Sequence, residues 1–391
     1  METGRISSWQ FFQLMLSLVL GLQLGRVPPS LVQIAGPDAW ISMLLALGID
    51  LAVAGALYVL GRRFPGRTLF EYPPLVLGRV LGKAVAVSYI WLFLHAAALS
   101  IYAYAAFYKL VLPETPLLVF VLLVAVVNTV GAYHGLETLA RASEFIGPVS
   151  VAISALILIL SIKDMDFGNL QPVLANGIRT PIEAALIPAS WFGICVVMGL
   201  LMAYHNKPEQ AFVAKASGVS AGTIVLTLLV LGSLAVLGPV QAAHQRTPVW
   251  SLTRLISVSG FFERVQMLFI SLLMTTGFVT LGVLHYASSL GISQVFGLKE
   301  YRPLVLPVGL ILAALALGLV DSNLDVQPFF REAFPPYALT IEGGLTFLIL
   351  IVALVRGSRA PLPQRRRQAQ EGSGGALDAG TADGGRDPQG R

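Results

Sequence analysis

The residues able to do chemistry in this chain are few and far apart. Asp50 falls halfway along one apolar stretch and His95 midway along the next. Tyr102 and Tyr104 follow His95, Asn128 and Thr129 sit in a fourth stretch, and His285 sits in an eighth. An ionisable group inside hydrocarbon is costly and marks either a proton or ion path or a structural contact. Asp50 and His95 are therefore candidates for a proton or polar relay. Each can equally hydrogen-bond a neighbouring helix or face a water-filled crevice, and no two of them share the spacing of a dyad. Enzyme signatures are absent: there is no Gly-rich phosphate loop, no His-Glu-x-x-His pair and no Gly-x-Ser-x-Gly elbow. The five histidines lie on separate segments without ligand spacing, and Cys195 is the one cysteine, so neither a metal site nor a disulfide framework is expected. The reading is a protein that is not an enzyme and carries no cofactor.

The more informative pattern lies in two interrupted helices. The first apolar stretch contains Gly21, Leu22, Gln23, Leu24, Gly25, Arg26, Val27, Pro28 and Pro29. Five stretches later comes Pro188, Ala189, Ser190, Trp191, Phe192 and Gly193, with Cys195 and Gly199 beyond. Unwound backbone inside a membrane exposes N–H and C=O groups that lipid cannot satisfy but a ligand can. Matched interruptions in two halves of a chain point to a transporter-type site near the bilayer midplane. Gly and Pro are also common in membrane helices, and Gly21 and Gly25 have the spacing of a close-packing motif.

The elements that must position these residues are membrane helices. The chain has 391 residues, of which 55% are hydrophobic and only 12% charged, with a mean hydropathy of +0.76. A soluble domain carries about a quarter charged residues. A spanning helix needs about 20 apolar residues. Ten stretches meet that length, near 9–34, 39–61, 83–111, 115–133, 142–162, 182–203, 217–240, 262–290, 303–320 and 336–356. Runs such as Val151–Leu160 do not alternate, which excludes a barrel. Residues 1–358 form one ten-helix domain. Residues 359–391 form a basic, Gly-rich tail with too few apolar residues to pack, and are expected to be disordered. With both termini inside, 18 of the 26 Lys and Arg residues, Lys215 among them, fall on the inner side and 7 on the outer, with Arg26 inside the first stretch. The positive-inside rule then places both termini in the cytoplasm. It also accounts for the net charge of +5 without nucleic acid. Membrane lipid is the expected surrounding. Two longer outer loops, Lys163–Thr180 and 239–261, are candidate vestibule caps.

Several landmarks, in order, resemble the endospore germination permease family, the B subunit of GerA-type nutrient germinant receptors, within the amino acid–polyamine–organocation superfamily. They are the stretch from Gly21 to Pro28, Gly36-Pro37-Asp38-Ala39-Trp40, Arg63-Phe64-Pro65 with Leu69-Phe70-Glu71-Tyr72, and Leu81-Gly82-Lys83. Then come Leu112-Pro113-Glu114-Thr115-Pro116, Gly135-Leu136-Glu137 with Arg141, Asn169 to Leu174, Phe262-Glu263-Arg264 and Phe296-Gly297-Leu298. The resemblance covers residues 7 to 358.

It implies an all-α integral membrane protein with a LeuT-like fold of two inverted five-helix halves, whose first and sixth helices are broken. It implies a small, amino-acid-like nutrient held between those helices, at Gly21, Leu22, Gln23, Gly25, Ser190, Gly193 and Cys195. It further implies a sensor of spore germination in the bacterial or spore inner membrane, with an A-type membrane subunit and a C-type lipoprotein as partners. An ion-coupled amino acid permease is the alternative on the same fold. Two positions depart from the superfamily pattern. Gln23 stands where a second glycine offers its backbone N–H, and Cys195 stands where relatives often carry an acid. The expectation drawn from these departures is a smaller or less cationic nutrient.

Overall fold

The computed structural model describes residues 4–25, 27–256, 265–321 and 328–359. Arg26, the Phe262-Glu263-Arg264 landmark and the expected tail beyond Arg359 lie outside the described residues.

The chain enters its first helix through a reciprocal cap. The Ser7 backbone N–H donates to Gln10 Oε1 at 2.9 Å, and the Gln10 N–H donates to Ser7 Oγ at 3.1 Å. Two otherwise orphaned donors are thereby satisfied. Helix α1 runs Ser8–Gln23 and α2 runs Val27–Ala35. The two prolines lie in the first turn of α2, where a missing N–H costs nothing. Gly36, with φ +52°, turns the chain into α3, Ala39–Arg63. A short helix α4, Pro73–Leu77, leads into α5, Arg79–Val111, the longest in the molecule among the described residues. Helices α6, Leu117–His134, and α7, Leu136–Ser161, are joined at Gly135, whose φ of +86° permits the abrupt reversal.

Next comes the second interruption. Helix α8, Arg179–Phe192, contains Pro188, passes into a 3₁₀ turn over Gly193–Val197, and resumes as α9, Met198–Leu201. Helix α10, Ala211–Leu237, is followed by two short helices, α11, Pro239–His244, and α12, Pro248–Leu255. Then come α13, Gln266–Phe296, and α14, Arg302–Asp321. The last stretch alternates between wide π turns and α-helix: Phe329–Ala333 is π, α15 is Phe334–Leu339, Thr340–Leu345 is π, and α16 is Thr346–Val355.

Eight helical stretches among the described residues are long and apolar enough to cross a membrane. The sequence led to an expectation of ten. The difference has two sources. The first expected span is divided into α1 and α2, and α2 runs with α3 as one stretch, Val27–Arg63. The ninth is represented by the shorter apolar helix Arg302–Gly318.

Helix α1 is the axis of the molecule. From Leu14 to Gln23 every residue is buried, against α7, α8, α10 and α13. A helix apolar on all sides is stable only in such a place or in lipid. Helix α6 is the opposite case: Leu118, Val119, Leu122, Leu123, Val126, Val127 and Val130 are all exposed, as lipid-facing residues should be. Its polar residues turn back to their own helix, Asn128 Nδ2 donating to Val124 O and Thr129 Oγ1 to Ala125 O, while Asn128 Oδ1 stays buried without a partner. His285 is likewise structural, its Nε2 lying 2.8 Å from the carbonyl of Val305 across the α13–α14 contact.

Small residues allow the close approach of α10 to α1. A Cβ on Gly218 would lie 2.5 Å from the Phe12 carbonyl oxygen, and one on Gly222 would lie 2.8 Å from Val19 Cβ. Without a hydrophobic effect to drive helices together in lipid, such packing carries the association. Polar contacts tie the helix ends. Ile6 N donates to Tyr204 O and Asn206 N to Ile6 O, both at 3.0 Å, so the entry to α1 is pinned to the exit of α9. Arg356 donates to Val76 O at 2.7 Å, and Arg63 to Ala353 O at 3.5 Å. Glu137 and Arg141 pair with each other at 2.5 Å, four residues apart on α7.

Gly218→Ala and Gly222→Ala are expected to lower stability by about 1–3 kcal/mol each through overpacking. Gly48→Ala, where an added Cβ meets nothing within 4 Å, is expected to be neutral or slightly stabilising. Thermal unfolding of the purified protein in detergent checks the contrast.

Candidate functional site

The helices on either side of the first interruption, α1 and α2, both pack on α8, which leads into the second. Helix α1 packs on α8 and on the 3₁₀ turn Gly193–Val197, and that turn in turn packs on α3 and on the π turn Thr340–Leu345. Four elements thus converge, and three of them bring polar groups.

The first group is Gln23, the last residue of α1. It is wholly buried, and neither its Oε1 nor its Nε2 has a hydrogen-bond partner. A buried amide left unpaired costs several kcal/mol, on the order of 1–3 in mutational measurements. Nearby backbone is better satisfied. The Gly21 carbonyl accepts from the Tyr104 hydroxyl at 2.6 Å. Gly21 also lies against α13, where an added Cβ would be 2.7 Å from the Thr276 carbonyl oxygen. Gly21 is therefore a packing residue whose carbonyl is taken. Leu22 is buried beside it, and Gly25 sits in the turn, with Leu273 Cδ1 4.0 Å from where its Cβ would be.

The second group is a buried ion pair. Lys215 Nζ donates to both Asp50 carboxylate oxygens at 2.6 Å, and the two side chains are 0% and 1% exposed. The pair joins α10 to α3. This corrects the placement of Lys215 among the inner-loop charges: helix α10 begins at Ala211, so Lys215 is already a full turn inside. Without it the inner count is 17 against 7, by subtraction of one from 18. Asp50, one of the two candidate relays, has a dedicated cation.

The third group is Glu342, carried by the π turn. It is wholly buried, and neither carboxyl oxygen has a hydrogen-bond partner. Its Oε2 presses on Gly193, where an added Cβ would lie within van der Waals overlap of it. Asp50, Lys215, Cys195 and the Tyr89 and Tyr337 rings are within electrostatic reach. The same π turn rests on α3 at Val53, one turn beyond Asp50.

The remaining expected residues divide. Gly193 and Cys195 belong to the buried 3₁₀ turn at this convergence, and Cys195 is a free thiol. The Ser190 hydroxyl is spent on its own helix, donating to Ile187 O at 2.8 Å, which leaves it no proton for a ligand. His95 lies apart in an aromatic cage of Trp91, Phe329, Phe334 and Tyr337, with ring centroids 5.6 to 6.5 Å away. Trp191, beside the interruption, stacks on Phe334 at 4.3 Å, so the same aromatic cluster forms one wall of the convergence.

Lys215 and Glu342 are not among the candidates the sequence suggests. Counting basic residues by loop hides the first, and the apolar length of the last stretch hides the second. Both carry a detectable signal: Lys215 is flanked on each side by apolar and small residues, and Glu342 stands inside an otherwise apolar run. Among the described residues no group of three or more His, Cys, Asp or Glu is arranged to hold a metal ion.

Residues 5–323 match the family described as "Spore germination protein". Curated relatives from Bacillus subtilis (strain 168) include Spore germination protein YndE, 28% identical over 358 residues, covering 90% of this chain and 97% of that protein. Spore germination protein KB is 27% identical over 342 residues, covering 84% and 91%. Among solved structures the chain is similar to Mhp1, a nucleobase-cation-symport-1 family transporter with bromovinylhydantoin bound. The TM-score is 0.69 at 13% identity, over 92% of this chain and 80% of that one. It is also similar to MhsT in complex with L-phenylalanine, at a TM-score of 0.63 and 14% identity, over 90% and 99%. These structural likenesses establish an all-α, multi-span fold related to LeuT-fold transporters.

Removing one member of the Asp50–Lys215 pair strands a buried charge, which typically costs about 3–5 kcal/mol. Asp50→Asn and Lys215→Met are each expected to lower the unfolding temperature strongly. The double variant is expected to recover much of the loss. A double-mutant cycle by thermal unfolding measures the coupling, and additive losses would exclude a direct pair.

Proposed function

Since this chain belongs to the spore germination protein family, we propose that it is the nutrient-sensing membrane subunit of a spore germinant receptor. It binds a small amino-acid-like germinant where α1–α2 and α8–α9 meet, and passes the signal to partner subunits. The observation that carries this reading is that α1, which ends at the unpaired Gln23, packs on the 3₁₀ turn of the second interruption, against which the unpaired Glu342 lies. Unpaired buried groups at a helix break are what a ligand would satisfy.

On this reading α1 with α2 is the first span, α8 with α9 the sixth and α14 the ninth. The bundle then has ten spans in two inverted halves of five, with broken first and sixth helices. A ligand that prefers one packing of such a bundle shifts the population towards it. An A-type membrane subunit and a C-type lipoprotein would read the change, in the spore inner membrane. An ion-coupled amino acid permease is the second reading, favoured by the charged pair Asp50–Lys215 buried between α3 and α10.

Deletion of the gene is expected to abolish the germination response to one defined nutrient while leaving responses to others intact. Vesicles containing this chain alone are expected to show ligand binding without concentrative uptake. Robust uptake would move the assignment to the permease. Topology has its own test. Cys195 is the one cysteine and is buried, so Cys195→Ser supplies a cysteine-free background. A new cysteine replacing Arg359 is expected to react with a membrane-impermeant maleimide only after cells are permeabilised, as a cytoplasmic terminus requires.

A further inference from the structure

We propose that Glu342 is the ammonium-binding residue of this site, taking the place of the acid that Cys195 lacks on the interrupted helix. The inference rests on the ligand-binding reading above and deepens it: the ligand class is a small molecule with a free, positively charged amino group.

The charges inside the bundle do not balance. Two carboxyl groups, Asp50 and Glu342, lie within electrostatic reach of one buried lysine. The lysine is engaged by both oxygens of Asp50 at 2.6 Å. Glu342 is left wholly buried with neither oxygen hydrogen-bonded. A buried carboxylate is tolerated only when a cation or several donors match it. Among the described residues no side chain supplies either: the nearby hydroxyl of Thr346 is engaged with Tyr89 at 2.8 Å, and Ser190 with Ile187 O. The carboxyl is not turned away from the interruption but pressed onto it, at the one residue, Gly193, without a side chain to exclude it. A cation from outside the chain would match it as a carboxylate, and in its absence the carboxyl can keep its proton.

An ammonium suits the position better than a metal ion. Sodium is held by several oxygens at once, and the Asp50 and Thr346 oxygens named above are already hydrogen-bonded. An ammonium needs only acceptors, which the carboxyl provides in a strong, charge-assisted form. Gln23, at the end of α1, has an unpaired amide whose two donors suit a carboxylate. The departures at Gln23 and Cys195 then do not mean a less cationic nutrient. The acid has moved to another helix.

The test is equilibrium dialysis of the twenty common L-amino acids, and of their N-acetyl derivatives, against the full-length chain in detergent. At least one free amino acid is expected to bind. Its N-acetyl derivative, which carries no ammonium, is expected to bind about tenfold more weakly or worse. Glu342→Gln is expected to show the same loss for the free amino acid and no further loss for the N-acetyl form. Gly193→Ala, which pushes the carboxyl aside without removing it, is expected to weaken binding similarly and decides the matter should Glu342→Gln not fold. Unchanged binding to Glu342→Gln, or equal binding of the acetylated form, overturns the assignment while leaving a ligand site in place. Sodium alone raising the unfolding temperature of the wild type but not of Glu342→Gln also overturns it, in favour of a metal ion. If none of the amino acids binds the wild type, the amino-acid-like ligand itself is lost, and the assignment with it.

Discussion

In hydrocarbon every backbone donor and acceptor must find its partner within the protein, and each departure from a continuous helix therefore needs a local remedy. Most of this chain obeys that constraint through unbroken helix, and the interruptions become conspicuous against it. At Leu24 the remedy is burial, with its N–H still reaching Leu20 O. At Gly193–Val197 it is a tighter 3₁₀ turn, which keeps hydrogen bonds at i+3 rather than losing them. At Thr340–Leu345 it is the reverse, a widened π turn. Overwound and underwound segments lie against each other, and the unpaired Glu342 lies at their contact.

Much of the architecture was legible in the amino-acid sequence because it is written in apolar length. Stretches such as 83–111 and 142–162 closely anticipate α5 and α7, and the interruptions announced themselves through Gly21, Pro28, Pro188 and Gly193. Helix ends were less legible, since α10 begins at Ala211, six residues before the apolar run expected there. That offset decided the fate of Lys215: counted by its distance from the apolar run it belonged to a loop, whereas helical continuation buries it opposite Asp50. Pairings across 165 residues of sequence separation leave no local trace. Ser190 shows a contact that its type alone does not give. Its type and position fit a ligand contact, but a serine in a helix can always turn its hydroxyl back to its own backbone, as it does here to Ile187.

The π turns were the feature least open to anticipation. A π turn inserts one residue into a helix and rotates all later residues by about 100° relative to an uninterrupted α-helix. The sequence Thr340-Ile341-Glu342-Gly343-Gly344 shows only an acid beside two glycines. Whether that acid faces lipid, water or the bundle depends on a rotation no hydrophobic count can give. Thr346 and Tyr89 record the result: with the stretch so rotated, the Thr346 hydroxyl meets the Tyr89 hydroxyl at 2.8 Å, and Glu342 is carried inward onto the 3₁₀ turn.

Gly193 takes on a different meaning in that setting. As part of a broken helix it reads as a hinge, a residue chosen for backbone freedom. Its backbone, however, is ordinary right-handed helix, with φ −61° and ψ −24°, which any residue adopts. The need for glycine comes from the side-chain direction, because Glu342 occupies the volume a Cβ would fill. The interruption and the carboxyl therefore share one volume: the acid can approach this backbone so closely only because residue 193 is glycine. Cys195, two residues further along the same turn, is small enough to share that space, where an acid would add a third negative group to a region holding one lysine. The absence of an acid at 195 and the presence of one at 342 are accordingly two sides of one electrostatic limit.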